Sequence, residues 1–185
     1  MFIQTEQTPN PATLKFLPGR EVIAKGVVDF TDPEQTQGSP LARRVFAVEG
    51  VTGVFLGTDF VTVTKAAGED WYALKPAVLG AIMEHFLSGD PVLEPDAGLA
   101  EEAAPADDED ELVKQIRELI ETRVRPAVAQ DGGDIIFRGF ERGVVYLHMR
   151  GACSGCPSST ITLKNGIENL LRYYVPEVVE VRPVV

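Results

Sequence analysis

Hydrophobic spacing alone divides the chain into elements. Residues 60–65, FVTVTK, alternate apolar and hydroxyl-bearing β-branched positions, the period-2 pattern of a half-buried strand. GVFLG (53–57) reads as a partner strand, and Gly57-Thr58-Asp59 between the two favours a hairpin. TLKFL (13–17) and VVDF (27–30) are further short strands, with Pro18-Gly19 supplying turn chemistry. SPLARRVFAV predicts a helix with Ser39 as N-cap and Pro40 in the first helical position. In WYALKPAVLGAIMEHFLSG, Val78, Ile82 and Phe86 recur every four residues, with Leu79 and Met83 beside them. That spacing predicts a helix that Gly89 ends, with Pro76 in its first turn.

The period returns to 3.6 in ELVKQIRELIETRVRPAV, where Leu112, Ile116, Leu119, Ile120 and Val124 share one face and Pro126 limits the regular helix. DGGD (131–134) is a turn or loop. IIFRGF and VVYLHMR are strands joined through Glu141-Arg142-Gly143. A helix follows from about Ser159 to Tyr174, with Ile161, Ile167, Leu170, Leu171 and Tyr174 as core candidates, and VVEVRPVV is a final strand. The predicted fold class is α/β in the α+β sense. It has two small domains, 1–90 and 112–185, the second in the order αββαβ.

Residues 91–111 break both patterns. They are rich in Ala, Pro, Asp and Glu and lack aromatics, so they read as a solvated, charge-extended linker. Nine acidic residues and no Lys or Arg lie between Glu94 and Glu111. Setting these aside takes the net charge of -11 to about -2, so the acidity belongs mainly to the linker. No basic patch is legible, and nucleic acid is not an expected partner. No apolar run approaches a membrane span. The opening MFIQTEQTPNPATLKF has neither a basic n-region nor an apolar h-region, and the expected location is cytoplasmic.

In a reducing compartment a CxxC is metal-binding or redox-active more often than a structural staple. Cys153 and Cys156 are the only cysteines, in GACSGCPSST between a strand and a helix. Free N–H groups and the helix dipole favour negative charge there, so the sequence predicts an exposed pair of thiolates. Structural zinc and ordinary iron–sulfur clusters each take four ligands, and this chain offers two cysteines. His148 and His85 read as packing or surface residues. If the pair holds a cluster, the economical arrangement is a dimer with two thiolates from each subunit. A thiol–disulfide redox protein and a zinc-bridged interaction module use the same residues, and both stay open at this point.

The wider sequence adds a resemblance. RPAVAQDGGDIIFRGFERGVVYLHMRGACSGCPSSTITLKNGIENLLRYYVPEV resembles the C-terminal domain of NifU found in Nfu-type iron–sulfur proteins. QTEQTPNPATLKFLPG, SPLARRVF, GVFLGTDFVTVTK and DWYALKP resemble the Nfu N-terminal domain. The resemblance implies a carrier rather than an enzyme. It implies a [4Fe–4S] cluster bridging a homodimer through Cys153 and Cys156, received from an upstream donor scaffold and delivered to apo iron–sulfur clients. It also implies that the N-terminal domain recognises those clients. It leaves Asp131, Gly132, Gly133 and Asp134 as a supporting loop and Lys164 as a solvated charge.

Overall fold

The computed structural model describes residues 1–95, 97, 109–154 and 157–184, with the side chains of 157–160 excepted. The chain divides into two compact units, Met1–Glu101 and Glu102–Val185.

The first unit is a five-stranded antiparallel sheet with two helices on one face. Its strands are β1 (Gln4–Gln7), β2 (Thr13–Leu17), β3 (Val28–Phe30), β4 (Val51–Leu56) and β5 (Val61–Lys65), in the spatial order β1-β2-β5-β4-β3. Register explains the core. Leu14, Val63 and Val54 stand in one transverse row, and Phe16, Val61 and Leu56 in the next. Both rows meet Leu41, Ala42 and Val45 of α1 (Pro40–Phe46) and Val78 and Ile82 of α2 (Trp71–Ser88). Each fully buried Leu, Val or Phe contributes about 1.5–3 kcal/mol.

Ser39 caps α1 as expected, accepting from the Ala42 N–H at 3.1 Å. The same hydroxyl donates to the Val92 carbonyl at 2.7 Å, and the Glu94 N–H donates to the Gly38 carbonyl at 2.8 Å. The start of the expected linker therefore runs along this unit, with Val92 and Leu93 packed on its core. Gly89 ends α2 in the left-handed conformation at φ 78°, where glycine carries no Cβ penalty. Pro76 differs from expectation: it lies inside α2, beyond the first turn. Aspartate explains the earlier start, because Asp70 is the N-cap, accepting from the Tyr72 N–H at 2.9 Å. His85 is 0 % exposed, and neither ring nitrogen has a hydrogen-bond partner among the described residues.

The second unit opens with α3 (Glu111–Leu119), a π-helical stretch (Ile120–Val124) and α4 (Arg125–Gln130). The expected limit at Pro126 is met by this local widening, in which the Arg125 N–H reaches back to the Ile120 carbonyl. β6 (Gly133–Glu141) and β7 (Val144–Gly151) form a hairpin, and α5 (Pro157–Tyr174) carries the chain over to β8 (Glu180–Val184), parallel to β7. The hairpin turns on Arg142 at φ 52° and Gly143 at φ 81°, both left-handed, as a two-residue turn requires. The observed order is αββαβ. Its core joins Ile116, Ile120, Val124, Ile135, Leu147 and Leu171. Two core candidates on α5 are overturned: Ile161 and Tyr174 are exposed, because the helix turns only its Ile167–Leu171 stripe inward.

Candidate metal centre

β7 ends at Gly151, whose φ of 63° turns the chain sharply out of the sheet. The Ser154 N–H and hydroxyl both donate to the Gly151 carbonyl, at 3.1 and 2.9 Å, and close a tight loop around Cys153. Hairpin register brings the DGGD loop beneath it, since Gly133 pairs with Gly151. The Ala152 N–H donates to the Gly132 carbonyl at 3.2 Å.

This bed has no room for a side chain. A Cβ on Gly133 would stand 2.5 Å from the Cys153 sulfur, 2.9 Å from the Arg150 carbonyl oxygen and 3.1 Å from the Cys153 nitrogen. Gly132 adopts φ 79°, which L side chains rarely take. The two glycines thus have separate jobs: one makes the turn and the other makes space for sulfur.

Asp134 anchors the bed. It is 3 % exposed and accepts a two-pronged ion pair from Arg125, with Nε and Nη2 each 2.8 Å from a carboxylate oxygen. Arg125 also reaches Glu121 on its own helix, at 3.0 Å. Such a paired, planar geometry is the strong form of ion pair and locks α4 to the start of β6. The expected supporting role of the DGGD loop thus has a physical basis.

The expectation of exposed thiolates fails at Cys153. This residue is 7 % exposed and packs with the second core. Burial, followed by the negative charges of Asp131 and Asp134, pushes its thiol up to about 12. The fold therefore favours the neutral thiol at Cys153. Soft metal cations bind thiolate by displacing that proton, and neighbouring carboxylates that penalise a bare thiolate favour a cation beside it. Cys156 and Gly155 lie outside the described residues, as do the side chains of Ser158, Ser159 and Thr160. Lys164 is half-buried and ion-paired with Glu180 at 3.7 Å rather than simply solvated.

Neither histidine joins Cys153. His148 projects from the sheet face opposite the core, its Nδ1 3.2 Å from the Val184 carbonyl oxygen. His85 belongs to the first unit. Among the described residues no group of three or more His, Cys, Asp or Glu side chains converges as a metal site, and no helix is long and apolar enough to cross a membrane. Sequence reasoning missed Gly133 as the residue beneath the sulfur. Counting outward from the Arg142-Gly143 turn would have put Asp134 opposite Gly151; the one-residue bulge between Phe137 and Gly139 shifts the register and brings Gly133 there.

Known proteins match along the chain. Residues 3–89 match the family described as "Scaffold protein Nfu/NifU N terminal", and residues 116–182 match "NifU-like domain". A Drosophila erecta protein named "NFU1 iron-sulfur cluster scaffold homolog, mitochondrial" is 53% identical over the whole chain, which spans 65% of that protein's length. The Homo sapiens protein of the same name is 51% identical over 96% of the chain and 70% of its own length. The solution NMR structure of a NifU-like protein from Saccharomyces cerevisiae aligns at a TM-score of 0.47 and 26% identity, covering 52% of this chain and 87% of that one.

These relatives correct one expectation. Both curated proteins are named as mitochondrial, which overturns the cytoplasmic placement. That placement rested on the opening residues lacking a basic n-region and an apolar h-region, whereas compartment is set by receptor-read addresses rather than by the physics of the fold. On sequence identity across both units, the chain belongs to the Nfu family of iron–sulfur cluster scaffold proteins.

Proposed function

We propose that this chain carries a [4Fe–4S] cluster as cargo, held by Cys153 and Cys156 from each of two copies, and hands it to apo client proteins. The observation that carries this reading is the seat of Cys153: a sulfur-sized gap over Gly133, at a strand-to-helix junction, in a chain with two cysteines. The scaffold names of the relatives support it. A cluster needs four thiolates, and two copies supply four. A site split between two chains opens by separating them, which suits cargo that must leave. Transfer proceeds by stepwise exchange, in which client thiolates replace those of Cys153 and Cys156. No small-molecule bond is made or broken, so the activity is binding and delivery rather than catalysis.

The first unit's role is client docking, with the acidic segment as a tether that raises the effective concentration of cargo near the client. An upstream scaffold is the source of the cluster. Removal of residues 1–90 tests the docking role: transfer to at least one client should slow while iron content holds, and unchanged transfer to all would end it.

One observation favours cargo over disulfide chemistry. An attacking thiol works as thiolate and needs access, whereas Cys153 is 7 % exposed and its burial disfavours the thiolate. A zinc bridge needs the same four thiolates. Anaerobic reconstitution followed by iron and acid-labile sulfide assay separates the readings. Cys153→Ser and Cys156→Ser should each lose both iron and sulfide while remaining folded. Full iron and sulfide in either variant, or zinc without sulfide in the parent chain, contradicts the proposal.

A further inference from the structure

The second unit's sheet has helices on one face only. Along β7, Val145, Leu147 and Met149 point into the core, while Tyr146, His148 and Arg150 are half-buried on the other side. Register extends that open face across all three strands: Ile136, His148 and Val184 form one row, and Tyr146 and Arg182 pair in the next. A bulge between Phe137 and Gly139 leaves Arg138 as the extra residue of β6, exposed beside the Gly139–Tyr146 pair. Bulges re-aim side chains in this way.

Arg150 and Arg138 are near enough to act on His148. Burial lowers the His148 pKa, the Val184 carbonyl opposes that, and the charges of Arg150 and Arg138 lower it further. Counting the acids then decides the sign. Asp134, across from Arg150, is held by Arg125. Glu180 is shared between Arg182 and Lys164, at 3.0 and 3.7 Å, and Glu141, across Val144 from it, is met by Arg142 at 4.0 Å. Among the described residues Arg138 and Arg150 have no carboxylate within ion-pair distance. In a chain of net charge -11 the face is locally cationic.

We infer that this open face, with Ile136 and Tyr146 between Arg138, Arg150 and Arg182, docks a compact acidic patch of a partner protein. Guanidinium forks match carboxylates, and Tyr with Arg is the composition of energetic interface centres. A long polyanion such as nucleic acid would meet the whole chain's negative charge, whereas a small carboxylate cluster meets the face within a screening length of about 8 Å. The face measures about 10 Å across three strands and about 25 Å along β7. That is below the roughly 800 Å² per partner of a standard complex, so the contact is transient and salt-sensitive. A second copy presenting the same face would be repelled. Arg150 stands three residues before Cys153, so a docked partner lies at the cargo end of the sheet. That use of the face rests on the carrier reading; the face itself does not.

The test titrates an oligoglutamate peptide into the isotope-labelled full chain and follows amide shifts at low and at physiological salt. Shifts should map to β6, β7 and β8 and shrink with salt. Affinity should fall about tenfold or more in Arg138→Glu with Arg150→Glu. Arg138→Lys should retain most binding, which separates lost charge from lost fold. Arg138→Glu alone should still take up iron and sulfide, so failure of the docking inference is distinguishable from failure of the carrier reading. Absent shifts, shifts confined to Arg43 and Arg44 of α1, or tighter binding of oligothymidylate or phosphatidylserine vesicles than of oligoglutamate would overturn it.

Discussion

Each unit of this chain covers one sheet face with helices and leaves the other face to side chains, and the two solve that second face differently. In the first unit a single row crosses all five strands, running Glu6, Lys15, Thr62, Phe55, Asp29. Lys15 is paired with Glu6 at 3.6 Å and lies over the Phe60 ring, and Phe55 is 1 % exposed against Phe60. The row satisfies itself. In the second unit the equivalent face holds two guanidiniums, those of Arg138 and Arg150, without carboxylate partners among the described residues, while Arg182 is paired with Glu180 at 3.0 Å. The buried titratable groups contrast in the same way. His85 sits in the middle of a helix–core contact, where neutrality is its only inexpensive state. Cys153 is also buried but sits where a strand ends over two glycines. The two buried groups differ in their place in the chain rather than in the depth of their burial: one is within a helix, the other at a chain junction.

Breaking the first core should leave the surroundings of Cys153 alone. Phe16→Ala removes a fully buried ring and should cost the first unit about 3–5 kcal/mol. Denaturant unfolding followed by Trp71, the chain's one tryptophan and an edge-on neighbour of Phe16, should report this loss, with iron uptake at the parent level. A joint loss of iron would mean the units are not independent. Gly133→Ala reverses the assignment. Its methyl group collides with the Cys153 sulfur and should cost the second unit about 1–3 kcal/mol together with most of its iron. Retention of full iron by a folded Gly133→Ala protein would show that the sulfur is not seated as described.

The smallest effect is pH-dependent and confined to the first unit. Burial, then Arg44, lowers the His85 pKa in the fold, against an opposing contribution from Asp90. The unfolded chain takes up a proton near the ordinary value of 6.5 and the folded unit does not. The stability contribution is therefore full above that value and is lost as pH falls from it toward the folded value. His85→Phe should flatten the acid side of a melting-temperature profile relative to the parent. An unchanged slope would mean that other groups set it.

Much of this contrast was legible in the sequence. Thr13–Leu17 is a strand over the predicted span, Ser39 caps its helix, and the αββαβ order stands. These elements have strong hydrophobic period or dedicated capping chemistry. β1 went unseen because QTEQ is polar throughout and pairs on one side only, as an edge strand. The 3₁₀ turn at Pro33–Gly38 has no apolar stripe to announce it. The cysteine pair pointed to a candidate site, but not to the environment of Cys153. Its burial depends on the DGGD loop, which is near in space only through the register of a hairpin with a one-residue bulge. The cationic face was invisible for a related reason: Arg138, Arg150 and Arg182 are scattered in sequence and meet only across strands.

The central claim is that two copies share one cluster through Cys153 and Cys156. Anaerobic native mass spectrometry of the full chain, after reconstitution with iron and sulfide, tests it most directly. The account predicts a dimer carrying a single four-iron, four-sulfide unit, with matching loss of cluster and dimer in Cys153→Ser. A metal-free monomer with a Cys153–Cys156 disulfide, or a cluster held by one copy alone, would contradict it.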